Sequence, residues 1–244
     1  MNLHPLLPKL KALRLGKMAD TLEERTRQSI DEGLSPTDFL ALLLDDEIER
    51  RHQGRLRRHM RAASLEEDKT LARFDFAACP QAPRQLLSEL ALCRFLEHGE
   101  NILLAGPTGT GKSHLAQALA YEALKRRRTA LFRPIHALLQ SLHACRADGS
   151  FPRAFARLVR LDLLVLDDFG LMALTPQAVE DFYNIICERY ERRSIILTSN
   201  RAPEEWAEVF GNPLLASAAL DRLTHHSHLI ILKGKSYRQR GRKR

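Results

Sequence analysis

The chain has 244 residues, of which 44% are hydrophobic, so it can bury a full core and is not a disordered protein. No apolar run reaches the roughly 18 residues that cross a bilayer, and residues 1–13 lack the features of a signal peptide, so we expect no membrane partner. The four cysteines are scattered, which argues against a disulfide framework or a zinc knuckle and favours a reducing cytoplasm.

The net charge of +8 is unevenly distributed. Residues 233–244 contain seven lysines or arginines and no acid, and residues 50–61 contain six arginines. Such concentrations predict a polyanionic partner such as DNA, because phosphate neutralisation by basic side chains releases counterions. On charge alone, a solvated helix face and a basic chain end are an equal alternative.

Residues 1–68 are predicted to form a small all-helical domain that binds DNA or a partner protein. Ser35 as the N-cap, Pro36 in the first turn and Asp38 three residues after the cap predict the start of a helix. Leu40, Leu44 and Ile48 recur every four residues in that helix, with Leu43 beside them, and predict a packing face in its N-terminal half.

The second half of this helix is cationic around most of its circumference. Asp46 and Glu47 stand four residues before the first two arginines, so internal ion pairs are expected there. We assign DNA binding to Arg50, Arg51, Arg55, Arg57, Arg58 and Arg61.

Residues 69–83 contain two prolines and no helical period, which indicates a linker into a second domain, residues 69–244. Helices and short apolar strands then alternate, so the fold class is α/β with a five-stranded parallel sheet between helices. The predicted strands are 101–105, 129–133, 163–166, 194–199 and 228–232. The main predicted helices are 84–98, 112–125, 135–147, 152–160 and 176–193.

A phosphate-binding loop follows the first strand. Residues 106–113 match G-x-x-x-x-G-K-S in full, between an apolar strand and a helix, which is the context that makes this motif specific. Its glycines let backbone N–H groups face phosphate oxygens, and the helix N-terminus adds a positive dipole end. The predicted nucleotide-binding residues are Gly106, Pro107, Thr108, Gly109, Thr110, Gly111, Lys112, Ser113 and His114. Lys112 is expected on the β- and γ-phosphates, and Ser113 on Mg²⁺.

Two polar positions at later strand ends complete the predicted site. Asp167 and Asp168 follow the apolar strand 163–166, at the edge where open α/β sheets bind ligands. Asp167 is the candidate Mg²⁺ ligand and Asp168 the candidate for polarising the attacking water. Asn200, after strand 194–199, could orient that water or sense the γ-phosphate.

The ordered motifs resemble the AAA+ ATPases of the DnaC and IstB type. These motifs are the P-loop, the Asp-Asp strand, L-T-S-N at 197–200, A-L-D-R-L at 219–223 and S-Y-R at 236–238. The leading helices, the arginine-rich stretch and F-D-F at 74–76 resemble IstB, the transposition helper ATPase, over essentially the whole chain.

The resemblance implies further roles. Asn200 would be the sensor I residue, and Arg222 the arginine finger that one subunit supplies to its neighbour's ATP. An aromatic residue of the F-D-F segment could pack on adenine or simply fill the core. Asp168 stands where many AAA+ proteins have glutamate, which weakens its assignment to water activation.

About a dozen residues follow the last strand, so no C-terminal helical lid is expected. Arg238 is a candidate substitute for the arginine that such a lid would carry.

The motifs together with the resemblance to IstB imply a Mg²⁺-dependent, DNA-stimulated ATPase that aids transposition. ATP-bound subunits would self-associate on double-stranded DNA, largely independently of sequence, recruit and stimulate a transposase, and disassemble on hydrolysis. A replicative helicase loader of the DnaC type is the alternative, and a DNA-architectural protein or a small-molecule kinase fits the motifs less well. His225, His226 and His228 are interpreted as the start of a surface strand, because no other ligands cluster with them in the sequence.

Overall fold

The computed structural model describes residues 5–234 and 236–237. The chain divides into two compact units between Arg58 and His59, inside the longest helix, whereas the sequence predicted a boundary at residue 68. Residues 59–68 belong with the second unit, because Phe132 N–H donates to the Ala63 carbonyl at 2.8 Å and Glu66 N–H donates to Gln117 Oε1 at 2.9 Å.

The first unit is helical, as predicted. It comprises α1 (Leu6–Ala12), α2 (Gly16–Glu32) and the larger part of α3 (Pro36–Ala62). The Ser35 cap is confirmed, because its hydroxyl accepts from Asp38 N–H at 3.2 Å and donates to the Asp38 carboxylate at 2.6 Å. Met18, Leu22 and Leu43 form the small core.

The predicted packing face of α3 was wrong in its main row and right at Leu43. Leu40, Leu44 and Ile48 are 50%, 43% and 50% exposed, whereas Leu43 is 3% exposed. The helix packs instead along the side that carries Leu43 and Glu47, and Glu47 is 3% exposed. Because the acid Glu47 occupies a position on the packing side, that side does not read as a continuous apolar row. A search for apolar periodicity therefore favours the neighbouring row of Leu40, Leu44 and Ile48.

Glu47 also fixes the first two arginines of the cationic stretch. Its carboxylate accepts from Lys17 N–H at 2.9 Å and from Arg51 Nε at 2.8 Å, and it also pairs with Arg50. The Arg50 contact is the main cause that lowers the pKa of Glu47 to about 2. Asp46 pairs with Arg25 at 2.7 Å rather than with Arg50, which corrects that part of the expectation.

The other four arginines of this stretch differ from the first two. Each of them is exposed, and no ion pair joins them to an acidic side chain within the described part of the chain. They are Arg55, Arg57, Arg58 and Arg61.

The second unit contains the predicted five-stranded parallel sheet, in the order β2-β3-β4-β1-β5. The strands are β1 (Asn101–Ala105), β2 (Ala130–Pro134), β3 (Leu163–Phe169), β4 (Ser194–Ser199) and β5 (Ser227–Ile231). β1 and β4 are buried at every position, as the apolar runs indicated. β3 extends three residues beyond its predicted end, and β2 and β5 are each shifted by one residue.

Helices cover the sheet and largely follow the prediction. They are α4 (Arg84–Leu90), α5 (Lys112–Lys125), α6 (Ile135–Ala147), α7 (Phe151–Arg160), α8 (Pro176–Arg189), α9 (Trp206–Phe210) and α10 (Pro213–Thr224). The predicted helix 84–98 breaks at Cys93, whose φ is 60°, a value that a helix cannot contain.

Helix α8 ends four residues earlier than predicted. The Arg189 side chain is fully buried and donates to the carbonyls of Leu158, Leu161 and Ser194, at 2.7, 2.9 and 2.7 Å. Burial lowers the pKa of Arg189 to about 9. The guanidinium thus ties the end of α8 to two neighbouring segments.

In the described part of the chain, no helical lid follows β5. No described helix combines the length and apolar character that a bilayer span requires.

Candidate nucleotide-binding site

The P-loop connects β1 to α5, as the motif predicted. Gly109 has φ 83° and Gly111 has φ 96°, in the left-handed region that favours glycine. A Cβ on Gly111 would lie 2.6 Å from the Phe74 ring, and a Cβ on Gly109 would lie 2.1 Å from Ser236 Oγ. The glycines therefore allow both the turn and the close approach of two distant segments.

Lys112 is 5% exposed and lies within the loop. Its ammonium donates to the carbonyls of Gly106 at 2.8 Å and Pro107 at 2.9 Å. Thr110 Oγ1 donates to the same Pro107 carbonyl at 2.9 Å. A buried positive charge thus stands beside a glycine-rich turn whose helix presents its N-terminus, which is an arrangement that binds phosphate.

Ser113 and Asp167, the predicted metal ligands, are in direct contact. Ser113 Oγ donates to Asp167 Oδ1 at 2.8 Å, and Thr198 Oγ1 donates to the same oxygen. Burial raises the pKa of Asp167, and the hydrogen bonds from Thr198 and Ser113 oppose that shift. The buried carboxylate has only hydroxyl donors among these partners, so a cation would offset its desolvation.

A bulge in β3 brings both carboxylates to one cavity. The register between β3 and β4 shifts between Leu166 and Phe169, and Asp168 has φ 59°. Adjacent residues of a regular strand point to opposite faces, but here Asp167 and Asp168 both line the cavity. Thr198 Oγ1 also accepts from Asp168 N–H at 3.1 Å, and so holds the bulge in place.

The cavity has a volume of about 810 Å³. It brings together most of the predicted site residues: Thr108, Gly109, Thr110, Gly111, Lys112, Ser113, His114, Asp167, Asp168 and Asn200. Their chemical roles remain predictions.

Three of the described residues predicted for the ATP site do not line this cavity: Gly106, Pro107 and Arg222. Arg222 does not line it; its Nη1 donates to the Ala218 carbonyl at 2.8 Å, and its guanidinium lies 5.8 Å from the Tyr183 ring. No ion pair joins Arg222 to Asp221 among the described residues. Arg238 lies outside the described residues.

One wall of the cavity includes residues whose role the sequence left open. Phe74 lines the cavity and packs edge-on against His114, with ring centroids 5.4 Å apart. The His114 ring nitrogen Nε2 is 2.8 Å from the Thr70 carbonyl. Phe74 fills space against Gly111 and also borders the cavity, and its packing on adenine stays a prediction.

Sequence reasoning missed Thr198 and the segment after β5. Thr198 lies inside the quoted L-T-S-N motif, but a threonine in an apolar strand gives no sign of its partners. Lys233, Gly234 and Tyr237 line the cavity, and Tyr237 N–H donates to the Gly109 carbonyl at 2.9 Å. Two local signals marked this segment: its net positive charge, which indicated DNA, and the S-Y-R motif at 236–238, which supported the family resemblance but predicted no contact with the P-loop.

The residues present fit ATP and Mg²⁺. Pockets for small ligands measure roughly 300–1,000 Å³, and the cavity lies within that range. A glycine-rich loop and a lysine suit phosphate, and a serine hydroxyl beside a carboxylate offers the hard oxygen ligands that Mg²⁺ requires.

Comparison with known proteins identifies the family. The sequence model of the family described as IstB-like ATP binding protein matches residues 8–244. A Mycobacterium tuberculosis protein named as an ATP-binding protein in an insertion sequence is 39% identical over 234 residues, 96% of this chain and 93% of that protein. The IS21 insertion-sequence ATP-binding protein of Pseudomonas aeruginosa is 36% identical, over 97% of this chain and 89% of its own length.

A solved structure supports the same fold. The replication initiator DnaA bound to AMPPCP and single-stranded DNA superposes with a TM-score of 0.58 at 26% identity, over 70% of this chain and 51% of that one. The five-stranded P-loop core is therefore of the AAA+ type. The chain belongs to the IstB-like family of ATP-binding proteins encoded by insertion sequences.

Proposed function

We propose that this protein is a Mg²⁺-dependent ATPase that binds DNA and acts as a helper of transposition in the cytoplasm. The observation that carries the proposal is the cavity in which the P-loop lysine, the Ser113–Asp167 pair, Asp168 and Asn200 converge. The family's insertion-sequence relatives support the link to transposition. The DnaA structure bound to AMPPCP and single-stranded DNA supports nucleotide and DNA as ligands.

Each site residue has a proposed task. Lys112 binds the β- and γ-phosphates, and Ser113 and Asp167 hold Mg²⁺, which when bound neutralises phosphate charge. Asp168 accepts a proton from the attacking water, and Asn200 orients that water. In-line attack of the water on the γ-phosphorus breaks the bond to the bridging oxygen and leaves ADP and phosphate.

Arg222 completes the site from a neighbouring subunit. It does not line the cavity of its own chain, which favours action in trans over action in cis. Such an arginine stabilises charge on the transferring phosphoryl group and contributes about 10³-fold or more in related systems. ATP binding would therefore favour assembly into a homo-oligomer.

The test is ATP hydrolysis with and without non-specific duplex DNA, together with the mass in solution by light scattering. We expect hydrolysis to rise with DNA and mass to grow with ATP. Lys112→Ala should abolish both, while a mixture of Lys112→Ala and Arg222→Ala proteins should regain activity by pairing an intact P-loop with an intact arginine. DNA-independent hydrolysis by a monomer would refute the assembly.

DNA contact is assigned to the arginines of residues 50–61 and is tested separately. Arg55→Ala/Arg57→Ala should weaken duplex binding. It should also make the plot of log binding constant against log salt concentration less steep, by a slope of roughly 0.9 for each lost phosphate contact. Arg153→Ala/Arg157→Ala on α7 removes the same charge from exposed positions and serves as the matched control. Equal effects of the two pairs would mean that net charge, and not this stretch, determines binding.

Recruitment of the transposase is tested by co-sedimentation on DNA. We expect a transposase encoded by the same insertion sequence to join the ATP-bound assembly and to be released on hydrolysis. Capture of a replicative helicase instead would favour the loader alternative.

A further inference from the structure

Three side chains that can bind a metal converge outside the nucleotide site. Glu191 Oε1 lies 3.8 Å from His225 Nδ1 and 3.6 Å from His226 Nε2. The three ligand atoms all lie within 4.8 Å of one another. Glu191 precedes β4 and the histidines precede β5, so the cluster is at the amino ends of these parallel strands, whereas the nucleotide cavity is at the carboxyl ends.

The backbone of the cluster is held in place. Glu191 has φ 57°, and Gly99 approaches it so closely that a Cβ there would lie 2.8 Å from the Glu191 carbonyl carbon. His225 N–H donates to the Asp221 carbonyl at 2.9 Å, and the His226 carbonyl accepts from Asn101 N–H at 2.8 Å. Only side-chain torsions must change for the three atoms to close on an ion.

Two of the three separations, those between the carboxylate and each imidazole, are close to those of a first-row transition-metal site. Metal–ligand bonds of about 2.0–2.2 Å in a tetrahedral arrangement place ligand atoms roughly 3.4 Å apart. The observed 3.6 and 3.8 Å are within a few tenths of an ångström of that value. Two imidazoles and a carboxylate favour Zn²⁺ or its neighbours over Mg²⁺ or Ca²⁺, which prefer oxygen ligands.

We propose that Glu191, His225 and His226 form a surface site for a divalent transition metal of the Zn²⁺ class. The three side chains are 51–56% exposed, so the ion can enter directly and the fourth position is open to solvent. The Tyr190 hydroxyl lies 2.7 Å from His225 Nδ1 and turns to solvent when the metal takes that nitrogen.

A bound ion would link the turn after α8 to the end of α10. His225 is the C-cap of α10, three residues after Arg222, so the ion would hold in place the helix that carries the proposed arginine finger.

Metal binding is tested on the full-length, tag-free protein without nucleotide, in excess Mg²⁺ to saturate the P-loop site. Equilibrium dialysis against Zn²⁺ should show one tightly bound equivalent. Glu191→Gln and His226→Ala should each weaken binding by about 10-fold or more. His228→Ala is the matched control, because His228 lies nearby but pairs with Glu100 at 2.8 Å instead, and it should leave binding unchanged.

The outcome is independent of ATP hydrolysis and of DNA binding. Unchanged Zn²⁺ affinity in Glu191→Gln and His226→Ala, or an equal loss in His228→Ala, would overturn the site. Replacement with Co²⁺ identifies the donors, and a spectrum without thiolate-to-cobalt charge transfer is expected. A thiolate spectrum would place the ion at one of the four free cysteines and refute the proposal.

Discussion

Thr198 provides the sharpest test of how the site is built. Its side chain is fully buried in β4, and its hydroxyl donates to the Asp167 carboxylate while accepting from Asp168 N–H at 3.1 Å. One hydroxyl therefore positions both carboxylates. Thr198→Val keeps the shape of the side chain and removes only this hydroxyl.

The loss of folding stability in Thr198→Val follows from the two hydrogen bonds that the variant cannot make. A hydrogen bond to a charged group contributes about 1.5–3 kcal/mol, and a buried N–H without a partner costs about 1–3 kcal/mol. Because the bulge can relax, we expect Thr198→Val to lower the free energy of unfolding by about 3 kcal/mol in total. For a domain of this size, that loss lowers the melting temperature by about 6–12 °C.

Thr198→Ser is the matched control, because it keeps the hydroxyl and loses one methyl group, at a cost of about 1 kcal/mol. Urea unfolding of the nucleotide-free proteins should therefore rank wild type above serine and serine above valine. The valine variant should also lose more ATPase activity than the serine variant. A valine variant as stable as wild type, or more stable than the serine variant, would refute the role of the hydroxyl.

Three further predictions concern the same unit. Burial raises the pKa of Asp167 above its usual 3.8, so the native state holds this proton more tightly and stability falls as pH rises through the raised pKa. Urea titrations without nucleotide and Mg²⁺ should therefore show Asp167→Asn to be more stable than wild type at neutral pH. The difference in free energy of unfolding should shrink toward about pH 4, and a difference that widens on acidification would contradict this. Arg189→Met should destabilise by about 3–5 kcal/mol, because several buried carbonyls lose their donor, and a loss below about 1 kcal/mol in urea would be inconsistent with the observed contacts. Gly109→Ala should weaken nucleotide binding in fluorescence titrations at least about 10-fold, because its Cβ would meet Ser236 Oγ at 2.1 Å with φ at 83°. Ser236→Gly in the same chain should recover part of that loss but not the strain at φ 83°, and full recovery would show that φ is unimportant.

The sequence correctly predicted the elements that are determined by residues adjacent in the chain, namely the P-loop and the buried strands. The P-loop is contiguous, and its strand, glycines and helix stand in one short stretch. The buried strands are apolar runs bounded by polar or turn residues, so their existence and parallel arrangement could be inferred. Their ends were less certain, as β3 shows, because the bulge at Asp168 depends on Thr198 of the next strand.

Long-range contacts explain the incorrect predictions. The row Leu40, Leu44 and Ile48 has the helical period of a packing face, but α3 packs along the neighbouring side because Glu47 finds Lys17 N–H and two arginines as partners. Satisfying a buried carboxylate requires donors from another helix, and no pattern within α3 reveals them.

By itself, the sequence determined that this protein has a P-loop, an α/β core and a pair of acidic residues at a strand end. Each of these features is specified by a few adjacent residues. Only the tertiary structure decided which side chains meet across the chain. It placed Thr198 between two carboxylates, Tyr237 over the P-loop and Glu191 beside two histidines. Such contacts join residues that are 30 or more positions apart, and residue spacing carries no information about pairs that folding alone brings together.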